Sequence, residues 1–154
     1  MTLAQEFDQG ASLVFGGSGG IGAAIATRIA QGGSDVAITY RSNRERAEAA
    51  AATIAELGVA CTIHQVDIAD KAQIVQAITE AAQRHKRLHS VVVAAGSDIK
   101  QPFLADVTDA QWEEVIAGDL NGFFRIVKNI IPHFRAHGGG SLVHISSAGL
   151  GRTP

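Results

Sequence analysis

A single cysteine, Cys61, stands in this sequence. No internal disulfide can therefore form, and the chain fits a reducing compartment. Charge of one sign is also missing. Thirteen Lys and Arg against fifteen Asp and Glu leave a formal net charge of -2, which gives no electrostatic case for nucleic acid or membrane as a partner. No apolar run approaches the ~18–20 residues that span a bilayer. Met1 to Gly10 is polar and carries Glu6 and Asp8, unlike a signal peptide. The expected location is the cytoplasm. Low-complexity tracts and linkers are absent. Six histidines (His64, His85, His89, His133, His137 and His144) show no metal-ligand spacing with Cys or carboxylates, so no metal site is expected.

What is present is ordinary for a globular chain: 154 residues, 46% hydrophobic and 18% charged, one domain's worth. The organising stretch is Phe15-Gly16-Gly17-Ser18-Gly19-Gly20-Ile21-Gly22. A short apolar run, Ala11 to Phe15, precedes it, and an Ala-rich helical pattern, Ala23 to Ala30, follows. The glycines thus sit where a strand turns into a helix. Glycine there permits a positive φ, lets backbone approach a ligand, and lets helix and strand pack closely. The first helical amides have no intrahelical partner and lie at the positive end of the dipole, so they can hold a pyrophosphate. A Walker P-loop is a poor rival, because no Gly-Lys-Ser/Thr follows.

Along the rest of the chain, apolar runs alternate with helical patterns. Strands are expected at Asp35–Tyr40, 60–66, 88–95 and 141–145. Helices are expected from Ser42-Asn43, with Glu45 completing a capping box on Ser42, from Asp70, from Thr108 or Asp109, and again from about Asp119 to Arg135 despite Pro132. Leu88 to Ala95 is nearly uninterrupted apolar sequence, as in a strand buried on both faces of a parallel sheet. The alternation implies an α/β, Rossmann-type, doubly wound parallel sheet of five strands in the order 3-2-1-4-5 with right-handed crossovers.

The Gly16, Gly20, Gly22 spacing, with Ile21 between the last two, resembles the T-G-x-x-x-G-I-G motif of the short-chain dehydrogenase/reductase family. Phe15 replaces the leading Thr, a departure expected to loosen the turn. The resemblance extends along the chain. Asp67-Ile68 is similar to the family's Asp-Val/Ile pair, whose carboxylate meets the adenine amine. The alternative is that Asp67 joins Asp70 in starting a helix. Val93-Ala94-Ala95-Gly96 lies where the family has N-N-A-G, so the Ala-Gly half is kept and both Asn are gone. Gly118 to Phe123 resembles V-N-L-x-G-x-F, with Asp119 in place of the catalytic Asn that helps hold a proton-relay water. A helix cap is an equal reading for Asp119. Gly140 to Gly149 resembles G-x-I-V-x-I-S-S-x-x-G, in which Ser147 matches the catalytic Ser that hydrogen-bonds the substrate carbonyl. Among the branches of the family, the 3-oxoacyl-carrier-protein reductases are the most similar.

The resemblance implies a nicotinamide dinucleotide between Gly16 to Gly22 and the ends of the later strands. Tyr40 stands where NAD-preferring members carry Asp, and Arg41 follows it. A 2′-phosphate wants a cation there, so NADP (NADPH) is expected and NAD is less favoured; Ser18 and Ser42 would add hydroxyl bonds to the phosphate. Ala94, Ala95 and Gly96 would line the cofactor. The implied reaction is hydride transfer between the nicotinamide and a small-molecule carbonyl or alcohol, in a homodimer or homotetramer. The family's Tyr-x-x-x-Lys segment would fall after Pro154, and the one Tyr present is Tyr40. Residues 1–154 are therefore expected to form a single domain, about the first three-fifths of a family member, truncated before that segment. The alternative is a catalytically inactive dinucleotide-binding module or fragment.

Overall fold

Five apolar runs become the strands of one parallel sheet. In the computed structural model, which describes residue 7 and residues 9–97 and 103–146, these are β1 (Ala11–Phe15), β2 (Asp35–Tyr40), β3 (Cys61–Gln65), β4 (Leu88–Val93) and β5 (Ser141–His144). Their order is β3-β2-β1-β4-β5, and every pairing is parallel. Both the strand count and the order match the expectation. The strands are shorter than expected at 60–66, 88–95 and 141–145, although the Val66, Ala94 and Ile145 amides still donate to the Tyr40, Phe15 and Val93 carbonyls of the neighbouring strands.

The alternation of side chains along β1 divides the core in two. Val14 joins Val36 and Ile38 of β2 and Val92 of β4, under Ala26 and Ala30 of α1 (Gly20–Gln31) and Ile54 of α2 (Arg44–Ala55). Leu13 and Phe15 point the other way, with Val91 and Val93, toward Ile74 and Ile78 of α3 (Lys71–His85) and Ile126 and Ile130 of α5 (Phe123–Ala136). Each of these fully buried aliphatic side chains contributes roughly 1.5–3 kcal/mol of transfer free energy, and together they fix the helices on both faces.

Two sequence expectations about helices are corrected. The Ser42–Glu45 capping box does not form; the Asn43 side chain accepts from the Arg46 amide at 2.8 Å and caps α2. The second correction concerns the break expected before Asp119. Instead α4 (Asp109–Val115), capped by a reciprocal Thr108–Gln111 box, continues through a π-helical segment, Ile116–Gly122, directly into α5. The wider turn has a cause in its surroundings. A Cβ on Gly118 would lie 2.8 Å from Ser97 Oγ, and one on Gly122 would lie 2.7 Å from the Ile68 carbonyl oxygen. Two loops at the sheet's carboxyl end thus press on this part of the helix, and the extra residue of a π turn absorbs the fit. Among the described residues, no helix is long and apolar enough to cross a membrane.

Candidate dinucleotide site

In a sheet of this order the crevice opens outside the carboxyl ends of the strands, where the chain switches direction between β1 and β4. A cavity of about 450 Å³ occupies that place. Its floor is the turn after β1. Gly16 has φ +78°, and a Cβ there would sit 2.8 Å from the Ala95 nitrogen. A Cβ on Gly22 would come within 2.1 Å of the Gly16 carbonyl oxygen, whereas one on Gly20 would enter open space. Gly16 therefore shapes the turn, Gly22 lets the helix close on it, and Gly20 leaves room. The α1 N-cap is Gly19, with no side-chain cap and no acidic residue in the first turn. Its leading amides thus remain available to an anion.

Phe15 was expected to loosen this turn by replacing a hydroxyl residue. Phe15 is instead fully buried in the core, and a hydroxyl arrives from the next strand. Thr39 Oγ1 accepts a 3.0 Å hydrogen bond from the Gly16 amide. Pattern reasoning missed Thr39; the available signal was a polar residue near the buried end of an otherwise apolar β2.

At one wall stand Tyr40 and Arg41, from the end of β2, with Ser18 from the glycine turn. Arg46, on the first turn of α2, faces the same cavity; no motif in the sequence singles it out. Its neighbour Arg44 is held by Glu48 at 2.7 Å, and that bond is the first cause raising the Arg44 pKa above its ordinary value. Ser42 is exposed and does not line the cavity.

Asp67 and Ile68, after β3, and Ala94, Ala95 and Gly96, after β4, line the same cavity. The Asp67 carboxylate accepts from the Ala69 amide at 2.9 Å, while Asp70, not Asp67, caps α3 by accepting from Ala72 and Gln73. Those two amides are the leading causes holding the Asp70 carboxyl below its ordinary range. Ala94 is fixed through its backbone, its amide donating to the Phe15 carbonyl at 2.9 Å. The loop gains one side-chain anchor. Asp119 Oδ1 accepts from the Ser97 amide at 2.6 Å. Asp119 lies inside the π segment, so the helix-cap reading is set aside. Ser147 lies outside the described residues.

A larger depression, about 820 Å³, lies between α1 and the β4–β5 face, against Ile25, Ile29 and Val143. It is lined as well by Arg87, His89, Ser90 and Ser141, and it does not include the Gly16 to Gly22 turn. Elsewhere, His133 and His137 stack with ring centroids 4.1 Å apart, and His133 Nε2 accepts from the Leu88 amide at 2.9 Å.

The sequence profile of the short chain dehydrogenases matches residues 11–153. A 3-oxoacyl-acyl-carrier-protein reductase of Aggregatibacter actinomycetemcomitans is 35% identical over 136 residues, covering 88% of this chain and 56% of that protein. The chain thus spans little more than half the length of such relatives. A short chain dehydrogenase of Burkholderia cenocepacia, solved in complex with NADP, is 32% identical with a TM-score of 0.87 over 95% of this chain and 58% of its own. Carveol dehydrogenase of Mycobacterium avium, solved in complex with NAD, is 25% identical with a TM-score of 0.90 over 98% of this chain and 59% of its own. With five strands in the expected order and a profile match running through nearly all of them, the chain belongs to the short-chain dehydrogenase/reductase family.

Proposed function

We propose that this chain binds NADP(H) and carries the dinucleotide half of an oxidoreductase that moves a hydride between the nicotinamide and a carbonyl or alcohol. The observation that carries the reading is the cavity in which the Gly16 to Gly22 turn meets Arg41 and Arg46. In the proposed assignment the leading amides of α1 hold the pyrophosphate, and Gly16, Gly20, Ile21 and Gly22 shape that cradle. Arg41 and Arg46 hold the 2′-phosphate, with Ser18 beside them and Ser42 as an outer hydroxyl. Asp67 and Ile68 bracket the adenine, and Ala94, Ala95 and Gly96 lie along the cofactor. The residues fit such a group: the cradle has no side chain at Gly20, and Arg41 and Arg46 bring two cations to a lining whose acids are Asp67 and Glu114. The bound nicotinamide would supply or accept the hydride. Ser147, by resemblance, would hydrogen-bond the substrate carbonyl, and Asp119 would fix the loop at Ser97 that borders the reacting end.

The small-molecule substrate belongs to the same proposal, as do a cytoplasmic location and a homodimer or homotetramer. A row of exposed apolar side chains on the π segment and α5, Leu120, Phe124 and Ile131, supports self-association. A single species at the monomer mass in equilibrium sedimentation would contradict it. Cys61 supports a reducing compartment; burial, with Asp35 nearby, pushes its thiol up to about 11, so it stays a protonated, unreactive thiol.

A second reading is favoured by one observation. Asp119, where the family's catalytic Asn stands by resemblance, has its Oδ1 taken by the Ser97 amide at 2.6 Å, so a module that binds the dinucleotide without turnover is the rival. Oxidation of NADPH with a small diketone separates the two. Absorbance loss at the nicotinamide band, abolished by Ser147→Ala, is the expected result for the oxidoreductase. Binding with no absorbance loss would leave the binding module.

A further inference from the structure

Away from the cavity, five side chains form an unbroken chain from β2 across β3 to α3. Asp35 Oδ1 is occupied by the Ala60 amide at 2.8 Å, and Oδ2 faces His85 Nδ1 at 3.4 Å. His85 Nε2 lies 3.1 Å from Thr62 Oγ1. The same hydroxyl lies 3.0 Å from His64 Nε2. His64 Nδ1 then faces Glu80 Oε2 at 3.2 Å, and Glu80 Oε1 accepts from Gln76 at 2.7 Å. The two imidazoles are enclosed, with side chains 2% and 9% exposed for His85 and His64, while Asp35 and Glu80 reach solvent.

The proton count of this chain does not close with neutral rings. Ionised carboxylates at both ends only accept. Between them a neutral imidazole, a hydroxyl and a second neutral imidazole bring three protons to four contacts. Whichever tautomers are drawn, one contact is left with lone pairs facing each other. One further proton, on either ring, completes all four. A second would place two cations on either side of one hydroxyl. The geometry points to a single shared proton, held by the His64–Thr62–His85 chain as a staple between the outer strand β3 and α3. This inference is independent of the dinucleotide reading.

Charged and titratable groups face both rings. His85 meets Asp35 from β2 and His64 from β3; Arg84 precedes it on α3, and Lys86, Arg87 and His137 line the cavity beneath it. The Cys61 thiol on β3 stays neutral. Burial is the largest influence on His85 and lowers its pKa, against the pull of Asp35. His64 meets Glu80 and Gln76 from α3, and Glu80 is held below its ordinary range by Gln76 first and His64 second. Whichever ring carries the proton donates from both nitrogens, and the Thr62 hydroxyl donates to the other, neutral ring.

Long-range 1H–15N NMR of the imidazoles in the full chain reads this directly, since ring-nitrogen shifts report protonation and tautomer. At about pH 7.5, above the ordinary imidazole range, one of the two rings is expected to show two protonated nitrogens and the other the neutral Nδ1–H form. Thr62→Val removes the hydroxyl and leaves both carboxylates. Two of the four contacts then vanish, and the remaining two are satisfied by neutral rings, so the proton should leave. Glu80→Gln, at an exposed site, supplies an amide donor to His64 Nδ1 and should also release it. Two neutral rings in the unsubstituted protein would overturn the inference. So would an imidazolium that persists in Thr62→Val, since the proton would then be held by a carboxylate alone.

Discussion

At the carboxyl ends of the strands the molecule clears side chains away; along its outer edge and base it fills the space with hydrogen-bonding ones. In the cavity the work falls to backbone: Gly16 at φ +78°, Gly22 against the Gly16 carbonyl, and the uncapped leading amides of α1. Few side chains intervene, chiefly Thr39 and Asp119, and each accepts from a backbone amide of a cavity loop. At the base, buried Ser12 approaches Ser90 at 2.6 Å, and Ser34 meets His89 at 3.0 Å. The Asp35–His85–Thr62–His64–Glu80 chain continues this polar layer to the sheet edge. A ligand can replace water only where backbone donors are left unclaimed. A region that must stay closed has its polar groups paired internally. The difference marks one end of the sheet as the place for a ligand and the other as a fastening.

Gly22→Ala should break the contrast most severely. Its Cβ would overlap the Gly16 carbonyl oxygen at 2.1 Å. We expect a stability loss of about 2–4 kcal/mol in urea unfolding, with dinucleotide binding lost. Arg41→Ala should touch only the ligand. Removing a charge-assisted bond to a 2′-phosphate is expected to weaken NADPH by about 10–100-fold, leaving NADH unchanged in a fluorescence titration. Thr39→Val deprives the Gly16 amide of its acceptor; a loss of about 1–2 kcal/mol is expected, again by urea unfolding.

The smallest effect lies at the base. His133 Nε2 accepts from the Leu88 amide, which only the neutral ring can do. Burial first, then His137 and Arg87, lower its pKa from the ordinary 6.5. A base with a lowered folded pKa favours the unfolded state on acidification. Its contribution is full above 6.5 and is fully lost once pH passes the lower folded value, so the slope it causes begins at 6.5 and lies below that point. His133→Gln, which keeps an acceptor, should flatten the slope of stability against pH below that point, measured as urea midpoints across a pH series.

The backbone end was the legible one. A glycine spacing between a β run and an Ala-rich helix reports on φ and close approach, properties that sequence states directly, and the strand order followed from the alternation. Side-chain convergence was not legible. Thr39, Arg46 and Ser97 meet the cavity only because β2, α2 and the β4 exit converge there, and no local pattern announces it. The uninterrupted helix through Asp119 was not legible for a related reason: Gly118 and Gly122 admit Ser97 and Ile68 from other loops, and the sequence does not state those neighbours. The two-histidine chain shows the same limit, since residues 35, 62, 64, 80 and 85 carry no common motif.

The central claim is that the cavity at the strand ends holds a dinucleotide with a 2′-phosphate. Parallel calorimetric titrations of the chain with NADPH and NADH test it most directly. The account predicts saturable binding of NADPH, at least about tenfold tighter than NADH, with the difference erased by Arg41→Ala. No binding of either dinucleotide, or tighter binding of NADH, would contradict it.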